Sequence, residues 1–191
     1  IFDDKIEAPQ KVTKEDAERY YNCLNNVANM NQNAYDRLAK EIKALDTTLK
    51  WEGDEFSGFK LDSINPNNLM VDVKNQQMHV IDYFGKSKPE HQNSYLDMVA
   101  IMSDFTLLPE YMEHLDTEKQ KQVISSLKTV EKKSKLGAEK AGLSTDRNVY
   151  ATFLNETCRW FYAKHIDYNT NKTFKREYRY TFNKLLDMID S

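Results

Sequence analysis

The residues best suited to chemistry stand between Lys60 and Gly85. Asp62, Asn65, Asn67 and Asn68 crowd one polar segment, with Ser63 and Pro66 among them, and Asp82 follows further on. Their carboxylate and amide oxygens are hard donors, the kind that hold a hard cation, and a carboxylate can also accept a proton. The plain alternative is a surface turn, because Asn, Asp, Ser and Pro dominate turns for conformational reasons alone.

The elements that must position these residues are two short apolar runs, Leu69–Val73 and Met78–Asp82. Both are rich in strand formers, and the polar residues Lys74, Asn75, Gln76 and Gln77 separate them. That pattern predicts a tight β-hairpin. The polar segment Asp62 to Asn68 leads into its first strand, and Asp82 ends its second. The hairpin is therefore a small frame with polar side chains at its two ends.

This arrangement resembles the catalytic loop and metal-binding strand pair of protein kinases, whose pattern is H-R-D-x-x-P-x-N-L/I-L/M, a hairpin, then D-F-G. Ser63-Ile64-Asn65-Pro66-Asn67-Asn68-Leu69-Met70 aligns with the part from the Asp onward. Asp82-Tyr83-Phe84-Gly85 stands where D-F-G belongs, with one extra residue. The resemblance implies that Asn68 and Asp82 hold Mg²⁺ on the phosphates of ATP. It also implies a mainly α fold, a kinase-like C-lobe with a small β-hairpin carrying the catalytic-loop-like and DFG-like segments at 60–85.

Two registers are open at the catalytic position. Aligning Pro66, Asn68 and Leu69 places Ser63 where the family has its catalytic Asp, and Leu61 where it has His. Pairing Asp62 with Asn67 keeps the D-x-x-x-x-N spacing but displaces the proline. The first register is preferred. Asp62 and Ser63 are thus the candidate catalytic residues, and a serine hydroxyl is a poor base near neutral pH.

The surrounding elements follow the same order as in the family. Thr13 predicts a helix start, with Asp16 three residues on in a near capping-box pattern. Ala17, Tyr20, Tyr21, Leu24, Val27 and Ala28 recur at helical spacing after it. Asn29 to Asn33 breaks the run. A second helix over 33–50 shows Tyr35, Leu38, Ile42, Leu45 and Leu49 on one face, and Asp36, Arg37, Lys40, Glu41 and Lys43 on a solvated one. By resemblance it is the long helix that precedes the catalytic loop. After the polar stretch with Pro89, a central helix is expected over 94–108, and its Met98–Met102 run is apolar all round, so it should be buried. By resemblance, Asp97 there would anchor the catalytic loop. Asp82 and Asp97 lie too close in sequence for an ordinary activation segment. The compact kinases and pseudokinases secreted as type III effectors by bacterial pathogens share this shortened form.

Residues 117–191 read as C-terminal helices. Asp116 or Thr117 caps the first, through about Lys135, after Pro109 has ended the central region. Val123, Ile124, Leu127 and Val130 form its apolar side, and Lys119, Lys121, Lys128, Lys132, Lys133 and Lys135 its basic side. A solvated helix face accounts for that charge, and a docking surface for an acidic partner is the functional alternative. Gly137 and Gly142 are expected to bracket a short helical turn. Asp146 would cap a helix containing Val149, Tyr150, Phe153, Leu154, Cys158 and Phe161. A last helix would carry Phe174, Tyr178, Phe182, Leu185 and Ile189. No repeat or linker divides the chain, so 1–191 is expected to be one helical domain, with 1–12 a lead-in segment.

Composition limits the functional classes. The chain has 191 residues, 40% hydrophobic and 30% charged, which suits a folded domain rather than a disordered one. A net charge of −3 exerts no general pull on nucleic acid, and the mix of Lys172, Lys175, Arg176 and Arg179 with Tyr178 and Tyr180 carries no recognised RNA-binding motif. No apolar run approaches the roughly 20 residues of a membrane span. Cys23 and Cys158 read as buried, reduced thiols. His79, His91, His114 and His165 are too scattered for a zinc site.

The 191 residues contain five glycines, none in a G-x-G-x-x-G pattern, and no strand resembling V-A-I-K. The nucleotide-holding half of a kinase is therefore missing from them. Because the chain begins at Ile1, its natural N-terminus is expected to lie upstream. The expected function is a degenerate kinase-like effector domain that binds a host protein, with Mg–ATP binding weak or absent. By resemblance its location is the host cell cytoplasm. An active Ser/Thr kinase whose N-lobe lies outside this chain is one alternative. A helical interaction domain or chaperone without kinase ancestry is the other.

Overall fold

Thr13 starts the first helix by accepting a hydrogen bond from the Asp16 N–H at 3.1 Å, while Asp16 Oδ2 accepts from the Thr13 N–H at 2.9 Å. This reciprocal capping box satisfies two backbone donors at the helix start. The computed structural model describes residues 12–48, 60–61, 69–81, 83–84, 95–103 and 107–145. The predicted helices at 146–191, with Cys158, His165 and the basic-aromatic mix, lie outside the described residues, as do residues 1–11 and His91.

Within the described residues the chain is mainly helical. It runs α1 (Lys14–Asn29), α2 (Gln32–Thr48), β1 (Lys60–Leu61), β2 (Leu69–Asp72), β3 (Gln77–Val80), β4 (Tyr83–Phe84), α3 (Tyr95–Ser103), α4 (Leu108–His114) and α5 (Thr117–Ala141). The strands form two small antiparallel pairs, β2 with β3 and β1 with β4.

The apolar spacing read from the sequence is the face each helix buries. Ala17, Tyr20, Leu24, Val27 and Ala28 of α1 are buried, as are Ala34, Tyr35, Leu38, Ala39 and Ile42 of α2. Leu45 and Leu49 fall outside the described side chains. In α3, Tyr95, Met98, Val99, Ile101, Met102 and Ser103 are all buried. No such continuity exists in α5, which buries Val123, Leu127 and Val130 and leaves its opposite face exposed. The helix expected around Leu96–Phe105 to be the most buried thus buries these six side chains, while those of Leu96 and Ala100 lie outside the described residues. The side chain of Asp97 is not among those described.

Helix α5 packs against α1, α2 and α3 and organises the whole. It departs from expectation at its C-terminal end. It continues through Lys135 and Gly137 to Ala141, and Gly142 closes it in the left-handed region at φ 74°. Glycine adopts that conformation without the steric cost other residues meet. Gly137 is not a breaker. It is buried inside the helix, where a Cβ would lie 3.0 Å from the Tyr35 carbonyl oxygen. The close approach of α2 explains the glycine.

Pro109 likewise opens an element rather than closing one. It occupies the first turn of α4, where its missing N–H costs nothing. Cys23 on α1 is exposed, against the expectation of a buried thiol, because its position lies off the Tyr20–Leu24–Val27 face.

Polar side chains then tie the helices together. The Tyr35 hydroxyl, fully buried, donates to the Val27 carbonyl at 2.8 Å, and burial pushes its phenol well above the ordinary range. The Tyr20 hydroxyl donates to the Ser103 carbonyl at 2.6 Å, and its ring stacks on Tyr111 with centroids 4.3 Å apart. Lys133 donates to the carbonyls of Ala28 and Met30 at 2.7 and 2.6 Å, closing the C-terminal end of α1. Lys119 meets Glu18 at 2.6 Å. Both lysines had read as part of a solvated face. They belong to the α1–α5 seam instead.

Candidate functional site

The hairpin forms in the predicted place with a shifted turn. Leu69 pairs with Val80, Met70 with His79, Val71 with Met78 and Asp72 with Gln77. The turn is Val73 to Gln76, so Gln77 belongs to the strand and not to the connection. Side chains set this register. The Asp72 carboxylate accepts from the Asn75 N–H at 3.0 Å and from the Asn75 side-chain amide at 2.7 Å. Those bonds, the backbone one first, hold the Asp72 carboxyl below its ordinary range. Gln76 takes φ 54°, the left-handed value that turns the chain back. Its side chain donates to the Val73 carbonyl at 2.8 Å and accepts from the Asn31 N–H at 2.9 Å.

Alternation orients the two faces. Met78 and Val80 point inward and are 2% and 5% exposed, and β3 lies on α2. Met70 and Ile81, 59% and 39% exposed, face outward. His79 Nδ1 lies 2.8 Å from Glu41 Oε2, a link from the strand to α2. Glu41 had read as part of a face without special meaning, and so had Asp36 and Lys43. Asp36 accepts from Gln32 at 2.9 Å and from Lys140 at 2.8 Å. Lys43 donates to the Gly142 carbonyl at 3.4 Å. The polar side of α2 is therefore a set of anchors for β3 and α5.

A second pair of strands lies outside the first in sequence. Lys60 pairs with Phe84 and Leu61 with Tyr83. The two pairings are nested. Leu61 and Leu69, which bound the segment 62–68, are matched to Tyr83 and Val80, and only two residues separate those two. The backbone at both ends of the Asp/Asn-rich segment is thus anchored on the stretch that contains Asp82.

Asp62, Ser63, Asn68 and Asp82 themselves lie outside the described residues. Among the described residues no group of three or more His, Cys, Asp or Glu could hold a metal ion. None of their helices is long and apolar enough to cross a membrane.

Sequence reasoning missed the anchoring residues His79, Glu41, Lys133 and Gln76. Of these only His79 carried a signal, a titratable group at mid-strand opposite an exposed methionine. Comparisons with family models, with curated proteins and with solved structures found no match.

Proposed function

We propose that the chain is a degenerate kinase-like C-lobe, an effector domain that acts by binding a host protein. The observation that supports this reading is the nested strand pairing, Leu61 to Tyr83 outside Leu69 to Val80, set between the long helix α2 and the buried helix α3. A plain surface hairpin needs no outer pair. The outer pair brings the end of the strand before segment 62–68 back beside β4, which agrees with a loop and a DFG-like segment set at the two ends of one hairpin.

In that reading Asn68 and Asp82 are the hard donors available to a Mg²⁺ ion, which would neutralise phosphate charge. Two such ligands make a weak site without nucleotide phosphates. The Gly-rich loop and strand lysine that would hold those phosphates are absent from the 191 residues. Asp62 or Ser63 would be the proton acceptor. If it is Ser63, the loss of a general base alone removes about 10²–10⁴ in rate.

Calorimetric titration with Mg–ATP, a phosphotransfer assay and the control Asp82→Ala test the reading. The expected result is little or no heat and no turnover, unchanged by the substitution. Tight binding that depends on Asp82, with turnover, overturns it and assigns the base to Asp62. The second reading, an active Ser/Thr kinase completed by an N-lobe, draws on the retention of both Asn68 and Asp82. Activity that appears only when such a lobe is supplied would support it.

A further inference from the structure

Helix α5 divides its lysines into two sets. Lys119, Lys133 and Lys140 are engaged inside the molecule, by Glu18, by the α1 carbonyls and by Asp36. Lys121, Lys128, Lys132 and Lys135 are all exposed. Lys121 touches Glu118 at 3.2 Å, one turn back on its own helix, and the other three make no ion pair among the described residues. At 3.6 residues per turn these four fall within about 60° of the helix circumference. They form a straight ridge about 21 Å long. Glu131 flanks the ridge and Glu139 ends it. The chain as a whole carries −3, so this concentration of positive charge is local.

We propose that the α5 ridge is the docking surface for the host protein, and that it takes an acidic polypeptide segment with carboxylates spaced at one helical turn. Three features select that partner over other polyanions. The ridge bears no aromatic side chain on which bases could stack. The apolar side of α5 is buried in the core through Val123, Leu127 and Val130, and Leu136 is the one large apolar side chain that the helix exposes, too little for an apolar face to insert into a lipid surface. A single straight row of lysines at positions three, four and seven residues apart matches a helix or strand laid along it, acid opposite base. Each exposed pair is worth little alone, and the effect comes from several acting together.

The proposal rests on the reading that the chain works by binding a protein, and not on the kinase ancestry of the hairpin. The test uses the full chain and a fluorescent peptide of about 16 residues, the length that spans the ridge as a helix, with Glu repeated every third or fourth position. Anisotropy is measured for the wild type, for K121Q/K128Q/K132Q/K135Q, and for the control K14Q/R37Q/K40Q/K74Q. Both variants lose four positive charges from exposed positions, so they share one net charge, and circular dichroism checks that each folds. The expected result is binding that the ridge variant weakens about tenfold or more and that the control leaves within about twofold. The binding should also weaken as salt rises through about 0.1 M, where the Debye length falls to about 10 Å.

Equal loss in both variants would mean net charge alone, and overturns the proposal. No binding to the peptide overturns it as well. Ridge-dependent binding to phosphatidylserine vesicles or to a single-stranded oligonucleotide, tighter than to the peptide, replaces the protein partner with a membrane or a nucleic acid. Failure here leaves the nucleotide titration of the hairpin untouched. Asp82-dependent turnover there would leave the ridge result standing.

Discussion

The α2–α5 seam and the outer face of the β2–β3 hairpin differ in how tightly the chain is held. At the seam, backbone meets backbone over Gly137, Gln32 donates to the Lys133 carbonyl, and Lys140 donates to Asp36. Among the described residues the hairpin is gripped from one side only. Met78 and Val80 enter the core, His79 reaches α2, Gln76 reaches the α1–α2 connection at Asn31, and Met70, Val73 and Ile81 face outward. The helices thus form the rigid body. The frame of the candidate site is a thin layer carried on α2, and its position depends on the seam beneath it.

The sharpest way to break this comparison is to substitute one methionine on each side of it. Met98→Ala, at a fully buried side chain of α3, should cost about 2–5 kcal/mol in urea unfolding. Met70→Ala on the outward strand face should stay within about 0.5 kcal/mol. Equal losses would mean that the hairpin face is packed after all. Gly137→Ala comes next. Alanine gains up to about 1 kcal/mol of helix propensity, yet its Cβ meets the Tyr35 carbonyl, and overpacking costs about 1–3 kcal/mol. Net destabilisation is expected. A stabilised variant would show that α2 and α5 are free to separate.

Smaller effects sharpen the picture. Lys133→Met keeps the apolar stem and removes the ammonium from the Ala28 and Met30 carbonyls. A loss of about 1 kcal/mol is expected, with faster amide exchange at the end of α1. Unchanged exchange there would mean that water serves as well as the lysine.

The smallest effect is a pH dependence. Burial pushes the Asp36 carboxyl up, but the bonds from Lys140 and Gln32 outweigh it, so the group sits below its ordinary value. A carboxyl depressed on folding contributes stability that is present above its unfolded value, about 3.9, and lost as pH falls through the folded value. Asp36→Asn should therefore flatten the acid side of the stability curve below about pH 4, by less than about 1 kcal/mol. An identical acid limb in both proteins would assign the loss to other carboxylates.

Local patterns in the sequence were readable wherever neighbouring residues decide the outcome. The Thr13–Asp16 box, the 3.6-residue apolar spacing of α1 and α2, the all-round apolar run in α3 and the paired strands of the hairpin are of this kind. The failures share one cause. Gly137 read as a break because glycine is a poor helix former, and only the distant Tyr35 backbone explains it. Lys119 and Lys133 read as solvated because their partners lie 101 to 105 residues away. Gln77 was assigned to the turn on polarity alone, whereas Asp72, by capping Asn75, moved the turn one residue earlier. Of the candidate site the β2–β3 hairpin was legible. The side chains of Asp62, Ser63, Asn68 and Asp82 lie outside the described residues.

The long reach of α5 also bears on the chain during its synthesis. Helices α1 and α2 are made early, and the surface that covers them is made about a hundred residues later. At typical translation speeds of about 5–20 residues per second, that is a wait on the order of 5–20 seconds. Through that interval Leu24, Val27, Leu38 and Ile42 have no α5 to lie against, and α3 is made only late in it. Loop closure over such a span must come before its contacts give any return, which slows folding. A nascent chain stalled before residue 117 should therefore hold its first two helices as a sticky, chaperone-dependent pair. Release of the remaining residues, rather than any step in the hairpin, should time the moment at which the protein becomes compact.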